Sequence, residues 1–377
     1  MPTQLLAIAR NTFFESIRQP VTLVVVAGAA LLIVMSNPLA AFTMGEDQRM
    51  LIDIGLATVF TGGAILAAFI ATGVLGREIE QKTALTVISK PVSRSTFLVG
   101  KYLGVVGALL LATLCLALVF ALTEMHAVLQ TVRDPVHVPV LVFGFGSLVV
   151  GVCIAVWCNY FYGTVFASTT LFVVTPMLCV GYLVAMNFEP DFTRQAMASS
   201  FKGQLWVAII AIAMAECMLA AFAIAFSTRL GQVMTLLATL ATLLVGLLSD
   251  WLFARPMRRI ETTWLERAAA AGDVETVDIT TTLNRVGENP EQIVRSIEVA
   301  TVPLTQFAEG GEMVPWLLLK AAYGLVPNFQ VLWLSDALTQ DVIIPISYLL
   351  GSLGYGVLYT VMALALGILL FQRRELG

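Results

Sequence analysis

The chain has 377 residues, 58% of them apolar and only 12% charged, with a formal net charge of −4 and a mean hydropathy of +0.88. Ordinary soluble domains carry about 25% charged residues, so this composition excludes a soluble globule and gives no sign of a nucleic-acid partner. The charge is unevenly placed: residues 250–341 hold 13 acids and seven bases, net −6, which leaves the remainder at +2.

Residues 2–19 gather Leu5, Leu6, Ala9, Phe13, Ser16 and Ile17 near one helical face, and Pro20 ends the run. This predicts a helix lying in the membrane interface, against the plainer alternative of a ragged start to the first span. No small-residue cleavage site follows convincingly, so no removable signal peptide is expected. Uncharged or nearly uncharged blocks at 21–42, 51–76, 97–123, 138–157, 164–186, 204–227, 231–252 and 342–371 predict about eight spans, each long enough for a ~30 Å hydrocarbon core. Residues 135–188 lack Asp, Glu, Lys and Arg altogether. That stretch is too long for one crossing and is divided at Asn159–Gly163.

The short loops on the N-terminal side carry Arg10, Arg18, Arg77, Lys82, Lys90, Arg94, Lys101, Arg229, Arg373 and Arg374, against Arg49, Arg133, Arg194 and Lys202 on the other. Cytoplasmic loops are enriched in Lys and Arg. Both termini are therefore expected inside the cell membrane and residues 253–341 outside, although the cluster Arg255, Arg258 and Arg259 sits awkwardly with that orientation. The expected division is a membrane domain over 1–252, an extracytoplasmic insertion over 253–341, and a last span with a cytoplasmic tail over 342–377.

Within the insertion, Pro256 to Ala271 followed by Gly272 reads as a helix with a first-turn proline and a glycine stop. Residues 274–283, rich in Val, Ile and Thr, read as a strand. Asn289-Pro290-Glu291-Gln292 reads as the capped start of a short helix through about Val299. Residues 313–335 are apolar but broken by Pro315, Lys320 and Pro327, which predicts an interfacial element and not a further span. The fold class is thus an all-α polytopic bundle with a small extracytoplasmic α/β insertion.

The most informative polar stretch is 77–104, REIEQKTALTVISKPVSRSTFLVGKYLG. Alternating charges of this kind often mark a solvated connector, but Ile79, Ala84, Leu85, Val87 and Ile88 need cover, and Pro91 fixes a break before Ser93. The stretch resembles the coupling region of permease subunits in the type-two exporter class of ATP-binding cassette transporters. The amphipathic start at 2–19, the Ser227-Thr228-Arg229 turn, and the ending VPNFQVLWLSDAL (326–338) followed by a span closing in FQRREL (371–376) follow the same order. The resemblance implies that 2–19 is an elbow helix and that 77–96 meets a cytoplasmic ATPase, with Arg77, Glu78, Glu80, Lys82, Thr83 and Arg94 as the coupling residues. It also implies a second permease chain, ATP and Mg on the partner subunit, and no cofactor in this one. The block 135–188 and the insertion exceed a minimal family member, so neither substrate nor further partners carry over.

A phosphate-binding loop needs G-x-x-x-x-G-K-[ST]; the nearest approach, Gly76 to Thr83, has Gln81 where the second glycine belongs. No ATPase site is expected within the chain. Glu216 stands mid-span between Ala215 and Cys217, and intramembrane carboxyls are candidate functional groups, here for a transport path or equally for interhelix bonding. Asp53 lies near the outer end of its span, where solvation or placement at a helix N-terminus accounts for it. His126, Asp134 and His137 are too few and too spread to predict a metal site, and the five cysteines, all in or beside apolar blocks, predict neither zinc nor disulfides. Gly144-Phe145-Gly146-Ser147 lacks the G-x-S-x-G order and a later intramembrane histidine, so it reads as a packing run. The expected function is a transport subunit without enzymatic activity of its own. The alternative is a membrane-embedded scaffold or sensor whose extracytoplasmic cap binds a partner.

Overall fold

The structure is a computed structural model that describes residues 2–43, 45–80, 93–129, 135–286 and 290–372. Among these residues seven helices are long and apolar enough to cross a membrane: α2 (Pro20–Ala40), α3 (Asp47–Val74, continuing to Glu80), α4 (Arg94–His126), α5 (Val140–Tyr162), α6 (Phe166–Ala185), α7 (Gly203–Ser227) and, last in the chain, Ile346–Gln372. The chain is therefore a multi-pass helical membrane protein. An α-helix rises 1.5 Å per residue, so each exceeds or matches a ~30 Å core, and the 34-residue α3 runs well past it.

The expected span at 231–252 takes a different form. It is α8 (Gln232–Leu247), followed by a π-helical turn at Asp250–Ala254 and by α9 (Arg255–Ala271), with a 56° bend between the two pieces. The division of the uncharged stretch 135–188 falls where Asn159–Gly163 placed it. Gly163 takes φ +63°, a left-handed conformation that ends α5, and α6 starts three residues later.

The chain divides into two units: Met1–Leu240 with Leu332–Thr339 and Ile344–Gly377, and Ala241–Val331 with Gln340–Ile343. In the first unit the short helix α1 (Pro2–Ile17) lies along α4, and the approach is close because α4 offers glycines there. A Cβ on Gly104 would meet the carbonyl oxygen of Ala9 and the side chain of Thr12, both at 2.5 Å. Thr12, Ser16 and Ile17 are buried, while Leu6, expected on the same apolar face, points outward. Phe13 and Phe14 are half-buried against Phe172 of α6, with ring centroids 5.8 and 5.9 Å away.

In the second unit α9 behaves as Pro256 and Gly272 predicted; Gly272 stops it at φ +83°. The strand β1 (Val274–Leu283) also forms as expected. The helix expected from Asn289 to Val299 does not. Residues Glu291–Ala300 form strand β2, antiparallel to β1 over ten pairs from Val274↔Ala300 to Leu283↔Glu291. Ile293, Val294, Ile297 and Val299 are β-branched, and cross-strand pairing with the Val/Ile/Thr run of β1 outweighs the capping signal at Glu291-Gln292. Residues 341–343 continue the ribbon, with Ile343 N–H donating to Asn284 O and Val286 N–H to Asp341 O, both at 2.9 Å. Helix α10 (Met313–Leu325) has 13 residues, about 20 Å at 1.5 Å per residue, too short to cross. The last span, Ile346–Gln372, is α11.

Candidate functional site

The sequence placed the site at the end of the bundle where α3 stops and α4 starts. Arg77, Glu78 and Glu80 fall in the last turn and a half of α3. Lys82 and Thr83 lie outside the described residues, as does most of 77–96. The described remainder is the anchor of that stretch. Ser93 caps α4 by accepting from the Thr96 N–H at 3.1 Å. Arg94, one residue on, reaches across to the end of α11, donating to the carbonyl oxygens of Phe371 at 3.1 Å and Gln372 at 2.8 Å. A helix C-terminus leaves its last carbonyls without intrahelical partners and carries partial negative charge, which a guanidinium satisfies on both counts. Phe371, fully buried, stacks on Phe97 of α4 at 6.1 Å between centroids.

Two turns further along α4, Lys101 is 2% exposed and its ammonium lies 3.7 Å from the Glu15 carboxylate on α1. The start of α4 is thus fastened to α1 by a charge pair and glycine contacts, and to α11 by Arg94. Neither fastening is legible in the sequence, where Arg94 stands as a coupling residue by resemblance and Lys101 as an inward-side positive charge, without their partners.

Glu216 is buried in the middle of α7. The hydroxyl of Thr113 on α4 donates to its Oε2, and the other oxygen, Oε1, is enclosed without a partner. A Cβ on Gly63 of α3 would overlap this carboxyl group. Thus α3 supplies a notch, α4 a donor and α7 the acid, and the three helices close on one polar point. The arrangement is a packing contact, with the carboxyl seated against Gly63 and Thr113.

At the opposite end of the bundle the carboxylate of Glu124, 4% exposed, accepts from Lys202 and, at 2.8 Å, from Gln48. No local pattern announces this cluster, because the three residues stand far apart in the chain. The Ser335 hydroxyl donates to Asp53, whose exposed position fits the solvated role expected for it. An apolar cavity of about 310 Å³ opens nearby between α2, α4 and α5, with Asn37 and His126 at its polar edge. Among the described residues no three His, Cys, Asp or Glu side chains are grouped to hold a metal, and Asp134 lies outside those residues. Burial pushes the His137 imidazole below its ordinary value, and the neighbouring His126 adds to the effect.

In the second unit, Glu312 receives the Trp264 indole N–H at 2.8 Å, both arms of Arg267 at 2.7 and 3.0 Å, and the Glu309 N–H at 3.2 Å. Those donors hold its carboxyl down at about 2, the Arg267 guanidinium contributing most. Trp316 stacks obliquely on Trp264 at 5.6 Å and donates to Glu261 at 2.9 Å, and the Lys320 ammonium lies 4.3 Å above its ring. This cluster ties α9, α10 and the turn at Leu304–Phe307 together. It offers no open coordination position or nucleophile and reads as the core of the unit.

No family model, curated protein or solved structure matches the chain.

Proposed function

We propose that the chain is the membrane-spanning permease subunit of an ATP-driven exporter of the ATP-binding cassette class. It would work with a second permease chain, identical or related, and with cytoplasmic ATPase subunits that carry the ATP and Mg. In this reading 231–252, α8 with the start of the π-helical turn after it, counts as the seventh of eight spans, and α9 begins the outer segment. Both termini face the cytoplasm, as the excess of Lys and Arg in the short loops on that side favours, and residues 253–341 lie outside the cell membrane.

The observation that carries the reading is the anchoring of 77–96. The stretch joins two of the most deeply buried helices of the bundle, and its far end is fastened to α11 by Arg94 and to α1 by Lys101 and the glycine contacts. A push delivered by a closing ATPase would be handed to α4, α1 and α11 together, which is what coupling two states of a bundle to a distant event demands. A merely solvated connector has no need of such a base.

The scaffold alternative is favoured by the exposed apolar face of the β-ribbon, where Val277, Ile279, Ile293, Ile297 and Val299 lie on one side. One experiment separates the two. The full chain is affinity-purified from its own membranes in mild detergent and its companions are identified by mass spectrometry. The exporter reading requires a soluble chain bearing G-x-x-x-x-G-K-[ST], retained by the wild type. Companions confined to extracytoplasmic proteins would overturn it in favour of the scaffold.

A further inference from the structure

The joint between α1 and α2 carries two cavities that the exporter reading does not use. The first, about 440 Å³, is polar and lined by Asn11, Phe14, Glu15, Arg18, Gln19 and Pro20. The second, about 430 Å³, is an apolar groove between α2 and α3 whose α2 wall begins at Val24 and runs to Leu32. Pro20, Val24, Gly28 and Leu32 recur every four residues, so one face of α2 leads from the polar cavity into the apolar groove.

Arg18 and Glu15 line the polar cavity, and Arg10 stands one helical turn before its Phe14 wall. Arg10 and Arg18 bracket the Phe14 ring, their guanidinium carbons 5.9 and 5.8 Å from its centroid. Both are exposed, and neither has an ion-pair partner among the described residues. The one acid in the wall, Glu15, faces the Lys101 ammonium, so it leaves the two arginines' charge uncompensated. Leu6 and Ala7, on the same outward side of α1 as Arg10, are exposed. An outward surface that mixes apolar residues with unpaired arginines suits the headgroup layer and not bulk water.

We propose that this joint binds an anionic phospholipid. Its phosphate sits at Arg18, with Arg10 beside the same Phe14 ring adding to the attraction, and one acyl chain lies in the groove along Val24, Gly28 and Leu32. Charge complementarity selects the headgroup, and the apolar groove one turn further along α2 selects a lipid over a free phosphate ion, which would use only the polar end. The inference needs α2 to span the membrane and stands without the exporter reading. A lipid seated there would fix the angle between the interfacial helix and the first span, and through Lys101 and Gly104 the position of α4.

The test uses the full chain, delipidated in mild detergent and titrated with dioleoyl phosphatidylglycerol or dioleoyl phosphatidylcholine under native mass spectrometry. The wild type should prefer the anionic lipid. Arg10→Gln/Arg18→Gln should weaken phosphatidylglycerol binding by about fivefold per arginine, as expected for a basic side chain beside an anionic headgroup. It should leave phosphatidylcholine binding unchanged, and Arg10→Lys/Arg18→Lys should restore most of the preference. Gly28→Leu projects into open space and should weaken both lipids by filling the groove. Equal phosphatidylglycerol affinity in the glutamine variant, no effect of Gly28→Leu, or displacement of the lipid by millimolar inorganic phosphate would overturn the proposal.

Discussion

The two units of the chain are held together by opposite means. In the membrane unit helices approach through missing side chains: Gly104 admits α1, and Gly63 admits the carboxyl of Glu216. Polar contacts there are smaller, from the single bond of Thr113 with Glu216 to the two donors on Glu124. In the second unit one carboxylate, Glu312, gathers four donors from two segments, and Trp316 packs on the Trp264 ring that supplies one of them. The difference follows from the solvent. Between apolar helices in lipid no hydrophobic force favours contact, so close fit must supply it. A small unit with a two-stranded ribbon exposed on both faces buries little apolar surface and relies on a dense polar knot around a few large rings.

The largest effect is expected at the knot. Trp264 is fully buried, and Trp264→Ala should cost the second unit about 3–5 kcal/mol. Limited proteolysis should then cut within 255–330 while the membrane helices stay intact. The same knot is acid-sensitive. With its folded-state carboxyl near 2 and its ordinary value near 4.5, Glu312 contributes stability that is fully present above about 4.5 and is lost as pH falls toward 2. Tryptophan fluorescence during acid titration should show this loss in the wild type, and Glu312→Gln should flatten it. An unchanged acid transition in Glu312→Gln would move the pH sensitivity elsewhere.

In the membrane unit, Gly104→Leu should cost about 1–3 kcal/mol by overpacking α1 against α4, seen as a lower melting temperature in detergent. The smallest effect belongs to the isolated polar contact. Thr113→Val removes one interhelix hydrogen bond, worth about 0.6 kcal/mol in a bilayer. A large loss there would mean that Glu216 does more than pack.

What could be read from the sequence divides along the same line. Spans are legible because lipid imposes a minimum apolar length, and α9 because a proline and a glycine mark its ends. Strand β2 was misread because Asn-Pro-Glu-Gln imitates a helix start, whereas its partner strand begins 17 residues upstream of it. The site was legible only as a stretch of chain. Its base depends on Arg94 meeting residues 371 and 372, and Lys101 meeting Glu15, and no local pattern encodes pairs that distant. Leu6 faced outward for a related reason: periodicity gives a face to α1 but not the neighbour that covers it.

The central claim is that force enters at 77–96, and it is tested most directly by ATP hydrolysis of the copurified ATPase in proteoliposomes containing the wild type, Glu78→Lys or Glu80→Lys. A surface carboxylate contributes about 0–1 kcal/mol, whereas a reversed charge facing its partner at an interface costs several. The account predicts that both variants insert and fold normally and that at least one loses permease-stimulated hydrolysis together with ATPase binding. Wild-type binding and stimulation in both would contradict it and return 77–96 to an ordinary solvated connector.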